Sequence, residues 1–119
     1  MTKTVMVVDD AQFMRMRVSK LLSQHGYEVV EAEDGEVAVQ TYQSENPDAV
    51  LMDITMPRKD GLSALREIRE FDARAKVIML TALGQQSMVL EAMKAGAKDF
   101  LVKPYDPDRV IKTLDKVLG

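Results

Sequence analysis

The sequence has no cysteine and only one histidine in 119 residues. Disulfides and thiolate metal sites are therefore excluded, and a zinc cage of the usual ligands cannot be assembled. Any metal must be held by oxygen. Long hydrophobic runs are also missing: no window approaches the ~20 apolar residues of a membrane span. The first residues, Met1-Thr2-Lys3-Thr4-Val5, pass into a short apolar stretch without a cleavage site. The expectation is a cytoplasmic protein that does not insert into membranes. Charge of one sign is weak: the formal net charge of -3 is opposite to what whole-domain nucleic-acid binding favours, so no direct nucleic-acid contact is expected. There is no linker, repeat or low-complexity segment, and 119 residues suit one domain spanning 1–119.

What is present is an alternation. Five short, continuous apolar runs recur: Val5 to Val8, Val29 to Val30 with Ala32, Ala49 to Met52, Val77 to Leu80, and Phe100 to Val102. Continuous runs suit strands buried on both faces, as in a parallel sheet covered by helices. Between them, apolar residues fall at three- and four-residue spacing, as in Met14, Val18, Leu21 and Leu22, or Leu62, Leu65 and Ile68. Val37, Ala38 and Tyr42, then Met88, Val89, Ala92 and Met93, then Val110, Ile111, Leu114 and Val117 complete five helices. Gly26, Asn46-Pro47 and Gly96 follow helices, while Asp60-Gly61 and Asp106-Pro107 precede them. Strict strand-helix alternation predicts an α/β fold: a doubly wound, five-stranded parallel sheet with helices on both sides. Ligands of such folds sit beyond the carboxyl ends of the strands, where strand order reverses.

The residues that close the strands are therefore the candidates. They are Asp9 and Asp10 after the first, Asp53 at the third, Thr81 at the fourth and Lys103 at the fifth; the second offers nothing of the kind. Three crowded carboxylates repel one another unless a cation neutralises them. Oxygen ligands alone suit Mg2+, or Mn2+ in its place. A carboxylate beside such an ion can attack phosphorus and carry an acyl phosphate, and Asp53, closing the central strand, is placed for it. Lys103 offers the fixed positive charge and Thr81 the hydroxyl donor that phosphoryl transfer needs. Taken singly, each has a plain structural role: Asp9-Asp10 and Thr81 as helix caps or turns, Lys103 as a solvated charge. Only their joint placement at one rim points to chemistry.

Four stretches carry a family resemblance: Val7-Val8-Asp9-Asp10; Met52-Asp53-Ile54-Thr55-Met56-Pro57 with Asp60-Gly61; Leu80-Thr81-Ala82; and Gly96 through Pro104. The chain resembles the receiver domains of two-component response regulators along its whole length. Gly84-Gln85-Gln86-Ser87-Met88-Val89 is similar to the chemotaxis branch of that family. The resemblance implies a flavodoxin-like strand order of 2-1-3-4-5. It also implies a phosphoacceptor at Asp53 and a magnesium site of Asp9, Asp10, Asp53 and the Thr55 backbone carbonyl. Lys103 and Ala82 would border the phosphoryl group, Thr81 would be the switch hydroxyl, and Phe100 would fall on the aromatic switch position. Lacking a hydroxyl, Phe100 must be held inward by burial alone; a plain core aromatic is the other reading. The Lys103-Pro104 bond is implied to be cis.

Thr55 and Leu83 match positions that tune the lifetime of the aspartyl phosphate. Leu83 cannot orient an attacking water, so self-hydrolysis is expected to be slow. Leu83→Glu should shorten the lifetime measured by phosphate release; an unchanged rate would remove the idea.

The implied output surface carries Lys94, Lys98, Arg109, Lys112 and Lys116, which would suit an acidic partner or form an ordinary solvated face. The implied partners are a sensor histidine kinase as phosphoryl donor, an output protein such as a flagellar motor switch component, and a phosphatase. The domain would be a phosphoacceptor and not an enzyme acting on separate substrates. Other readings of the same signals are a stand-alone phosphorelay receiver or a receiver cut from a transcription regulator. A haloacid-dehalogenase-like phosphatase shares the aspartyl nucleophile but needs a second acid where Thr55 stands.

Overall fold

The computed structural model describes residues 2–82 and 84–119. Strands β1 (Thr4–Val8), β2 (Glu28–Ala32), β3 (Ala49–Asp53), β4 (Val77–Thr81) and β5 (Asp99–Val102) alternate with five helices. These are α1 (Gln12–Gln24), α2 (Gly35–Glu45), α3 (Gly61–Phe71), α4 (Gln86–Lys94) and α5 (Pro107–Leu118). Every strand pairing is parallel, and the order is β2-β1-β3-β4-β5. Both the doubly wound sheet and its order match expectation. Strand order reverses between β1 and β3, so Asp9-Asp10 and Asp53 leave the sheet side by side.

Side chains alternate across a strand, and that period divides the interior in two. Met6, Val8, Val50, Met52, Val77 and Met79 face α2, α3 and α4, where they meet Ala38, Tyr42, Leu65, Ile68 and Ala92. Val5, Val7, Leu51, Ile78 and Leu80 face the other way, against Val18 and Leu22 of α1 and Val110 and Leu114 of α5. The central strands β1, β3 and β4 are buried on both faces almost throughout. The edge strands depart from the continuous-run reading. In β2, Val29 and Val30 are only half-buried, and in β5 Leu101 alone is fully buried. An edge strand has a neighbour on one side only, so the helices above and below leave part of it uncovered.

The helix signals resolve into specific caps. Asp60 accepts from the Ser63 N–H at 2.8 Å, and Asp106 from the Asp108 N–H at 2.9 Å, with Pro107 opening α5. Asn46 ends α2 in the left-handed region at φ 48°. The capping role considered for Asp9-Asp10 and Thr81 is not realised. Ala11 stands at the start of α1, and Gln85 at the start of α4.

A buried acid fixes the β2–α2 corner. Asp34 is fully buried, accepts from the Val37 N–H at 2.9 Å, and pairs with Arg58 Nε at 2.6 Å. That pairing holds Arg58 at φ 63°, a left-handed conformation unusual for a side chain of its size. The Val37 N–H first, and Arg58 against the opposing effect of burial, hold the Asp34 carboxyl below its ordinary range. A depressed acid stabilises the fold above its unfolded pKa and loses that contribution as pH falls through the folded value. Asp34→Ala should therefore cost about 1–2 kcal/mol at neutral pH, nearly all of it the lost cap, since the Arg58 end is open to solvent and screened. The gap to wild type in urea-melt stability should narrow below about pH 4; a gap constant down to the acid transition would refute this.

Candidate functional site

At the carboxyl edge of the sheet, β1 and β3 deliver their acids to one place. Asp9 and Asp53 are buried and Asp10 is exposed, and each offers a carboxylate oxygen within 4.8 Å of the others. Local bonds hold them there. Arg15 Nη1 donates to the Asp9 carbonyl at 2.6 Å while its Nε meets Glu31 at 3.2 Å, and Asp9 Oδ1 accepts from the Ala11 N–H at 2.9 Å.

Lys103 closes the cluster from the opposite side. Its Nζ lies 3.2 Å from Asp53 Oδ2 and 3.3 Å from Asp9 Oδ2. The Lys103 N–H donates to the Thr81 carbonyl at 2.6 Å, and the Lys103-Pro104 peptide is cis, as the resemblance implied. Burial pushes the Asp53 carboxyl up; Lys103 opposes this, and Asp9 adds to it. Burial would lower the Lys103 ammonium, but attraction to Asp53 and Asp9 outweighs it, and the net shift is upward. The pocket thus keeps Lys103 charged while disfavouring a bare negative charge on Asp53.

The donor set fits a hard divalent cation. Three carboxylates converge with no nitrogen or sulfur ligand beside them, and a single ammonium leaves their charge under-neutralised. Thr55, whose carbonyl was expected to join them, lies on the loop two residues after Asp53. That loop is pinned by the Ile54 N–H to the Leu80 carbonyl at 3.1 Å and the Gly61 N–H to the Ile54 carbonyl at 2.7 Å.

Thr81 is buried at the end of β4, but its hydroxyl turns to its own loop. Oγ1 lies 3.1 Å from the Ala82 carbonyl and 2.9 Å from Gln85 Oε1. Gln85 also accepts from the Ala82 N–H at 2.8 Å and donates through Nε2 to Thr55 Oγ1 at 2.8 Å. Sequence reasoning missed Gln85, because a glutamine in a polar loop carries no signal of its partners. It missed Asp34 too, although Asp34-Gly35 before a helical stripe is a capping pattern. Leu83 lies outside the described residues.

Phe100 corrects an expectation. It is neither a core aromatic nor held inward by burial, being 40% exposed. It pairs in register with Met79 on the α4 side of edge strand β5, and α4 does not reach across to cover it. With Val89, Leu90, Met93 and Val102 it lines an open apolar groove of about 370 Å³ that reaches Thr81 and Gln85. The basic residues Lys94, Lys98, Arg109, Lys112 and Lys116 are all exposed. They do not form a purely basic face. Arg109, Lys112 and Lys116 share a hollow with Asp99, Asp106 and Asp108, and Lys116 Nζ lies 3.4 Å from Asp99 Oδ2.

Comparison with known proteins agrees with this geometry. Residues 5–115 match the response regulator receiver domain model. Chemotaxis protein CheY of Bacillus subtilis is 53% identical over 120 residues, covering all of both chains. Its counterpart in Thermotoga maritima is 52% identical over 118 residues, 98% of each. Among solved structures, the CheX-CheY-BeF3-Mg+2 complex from Borrelia burgdorferi superposes with a TM-score of 0.92 at 38% identity, covering 98% of this chain and 90% of that one. The receiver domain of NtrX from Brucella abortus gives 0.91 at 32%, covering 96% and 97%. An acid cluster at the reversal point of a 2-1-3-4-5 sheet, a lysine facing it from β5, and full-length likeness to CheY proteins lead to one family: the chain is a response regulator receiver domain.

Proposed function

We propose that the domain is a phosphorylation switch in which Asp53 accepts a phosphoryl group in a Mg2+-dependent reaction and the α4–β5–α5 surface reports its state. The observation that carries this reading is the convergence of three carboxylate oxygens within 4.8 Å, with Lys103 Nζ 3.2 Å from Asp53. Asp9, Asp10, Asp53 and the Thr55 carbonyl would hold the ion, which supplies positive charge against the phosphoryl oxygens. An Asp53 carboxylate oxygen attacks phosphorus in line, its bond to phosphorus forms, and the P–N bond of a donor phosphohistidine breaks, leaving the imidazole to take up a proton. Lys103 stabilises charge on the transferring group. Reversal to the resting state is hydrolysis: water attacks phosphorus, the P–O bond to Asp53 breaks, and inorganic phosphate leaves. The domain thus catalyses its own modification and its own reset without acting as a turnover enzyme on another substrate.

Phosphorylation adds charge and acceptor oxygens at the rim, drawing the Thr81 hydroxyl from its loop toward the new group and shifting a two-state equilibrium. Phe100, outward in this structure, and the apolar groove beside it would be where that shift is read. Similarity to CheY proteins supports a place in chemotaxis, with a sensor histidine kinase as donor and a flagellar switch component as output. The Borrelia complex, which pairs CheY with CheX, BeF3 and Mg+2, supports a further partner, a phosphatase among them. The proposed setting is the cytoplasm; among the described residues no helix is long and apolar enough to cross a membrane.

The test is loading with acetyl phosphate or beryllofluoride, with and without Mg2+, in wild type and Asp53→Asn. Uptake that survives in the variant would move the acceptor elsewhere.

A further inference from the structure

Gln85 joins the two loops that flank the acid cluster, and it does so with its side chain. Its Oε1 is shared by the Thr81 hydroxyl at 2.9 Å and the Ala82 N–H at 2.8 Å, and its Nε2 is anchored on Thr55 Oγ1 at 2.8 Å. Thr81 and Ala82 are the residues at the end of β4 that the proposed function assigns to the phosphoryl oxygens. In this structure both donors are already committed to the amide oxygen of one glutamine. Gln85 is also the residue from which α4 departs. Its carbonyl accepts from the Met88 and Val89 N–H groups at 3.1 Å, while its side chain makes no cap, being turned to the pocket instead.

We propose that Gln85 is a competitive latch. Its amide oxygen occupies the donors a phosphoryl group needs, so phosphorylation must displace it, and its release frees the first turn of α4. This inference rests on the phosphoacceptor reading of Asp53 and adds to it the contact that opposes activation and links the pocket to α4. The exchange is balanced in hydrogen bonds at the rim: the Thr81 hydroxyl and the Ala82 N–H leave one oxygen acceptor for another. What is not replaced is the Gln85 anchor on Thr55, and the freed amide goes to water. The latch therefore sets the resting population of the switch without touching Asp9, Asp10 or Asp53.

The experiment is a titration of beryllofluoride in saturating Mg2+, followed by NMR, in wild type, Gln85→Leu, Gln85→Ala and Gln85→Glu. Gln85→Leu keeps the bulk and removes the acceptor, so it should bind about tenfold tighter than wild type, the worth of one to two net hydrogen bonds; Gln85→Ala should do the same. Gln85→Glu retains an acceptor and adds charge, so it should bind more weakly. Mg2+ affinity without fluoride should stay within about twofold of wild type in the leucine variant, since no metal-site contact is lost. In unloaded protein, the Ala82 amide should exchange hydrogen about tenfold faster in Gln85→Leu, having lost its acceptor.

A general structural role would weaken binding in all three variants, and that pattern overturns the latch. So does unchanged affinity in both Gln85→Leu and Gln85→Ala, or unchanged Ala82 protection, while Asp53-dependent loading in wild type leaves the phosphoacceptor reading standing. Absence of Asp53-dependent loading in the wild type overturns that reading and the latch with it.

Discussion

Gly61→Ala should destabilise the domain by at least about 3 kcal/mol, the upper end of what overpacking costs, and lower its melting temperature by roughly 10 °C. The cause is space, not backbone freedom. A Cβ on Gly61 would lie 2.0 Å from the Asp53 carbonyl oxygen and 2.9 Å from both the Asp53 carbonyl carbon and the Ile54 Cα. All three are backbone atoms, so no rotamer change relieves the clash. The glycine sits there because its N–H donates to the Ile54 carbonyl at 2.7 Å, drawing the start of α3 against the end of β3. Relief requires α3 to lift or Asp53 to shift, and either disturbs the acid cluster. Mg2+ affinity should therefore fall together with thermal stability. A variant that melts with wild type, or that melts early yet binds Mg2+ normally, would show that this contact does not position the site.

Asp53→Asn should do the opposite to stability while removing activity. Phosphoryl uptake should fall by at least about three orders of magnitude, since the amide is no nucleophile and other carboxylates lack the in-line position. The metal-free variant should nevertheless melt higher than wild type at neutral pH. Burial raises the Asp53 carboxyl, and an acid whose folded pKa is raised is favoured in its protonated form, so its ionised form works against the fold. Lys103 offsets part of that cost, and asparagine removes the rest. The difference should vanish as pH falls below the ordinary carboxylate range, where wild type is protonated both folded and unfolded. Saturating Mg2+ should also close it, because the ion binds only the folded wild-type cluster tightly. Paired calorimetric scans, with and without Mg2+, read both arms; a variant less stable than wild type in metal-free buffer at pH 7 would contradict the electrostatic account.

The acid cluster was legible because topology does the placing. Apolar runs locate the strands, strict alternation makes them parallel, and parallel strands put their carboxyl ends on one edge, so Asp9, Asp10, Asp53, Thr81 and Lys103 could be gathered before any coordinates. Orientation was not legible. Whether Thr81 Oγ1 faces the acids or Gln85 depends on a glutamine whose partners are set by loop geometry. Phe100 reads as core by composition, yet a ring on an edge strand is covered only if the neighbouring helix extends over it, which is a tertiary property. The basic residues of α5 could be counted along one helix, but the acids among them arrive from β5 and the loop before α5. Arg58 had no sequence signature for its left-handed backbone, which a buried carboxylate from a distant corner enforces.

The helices contribute very unequally to the interior. α3 commits Gly61, Ala64, Leu65 and Ile68, and α5 commits Val110, Thr113 and Leu114, whereas α4 commits only Ala92, with Leu90 and Met93 left in solvent. A tilt or slide of α4 consequently disturbs little of the buried apolar area that makes the fold cooperative. The remaining elements form a rigid chassis on which one loosely seated part can take more than one resting position.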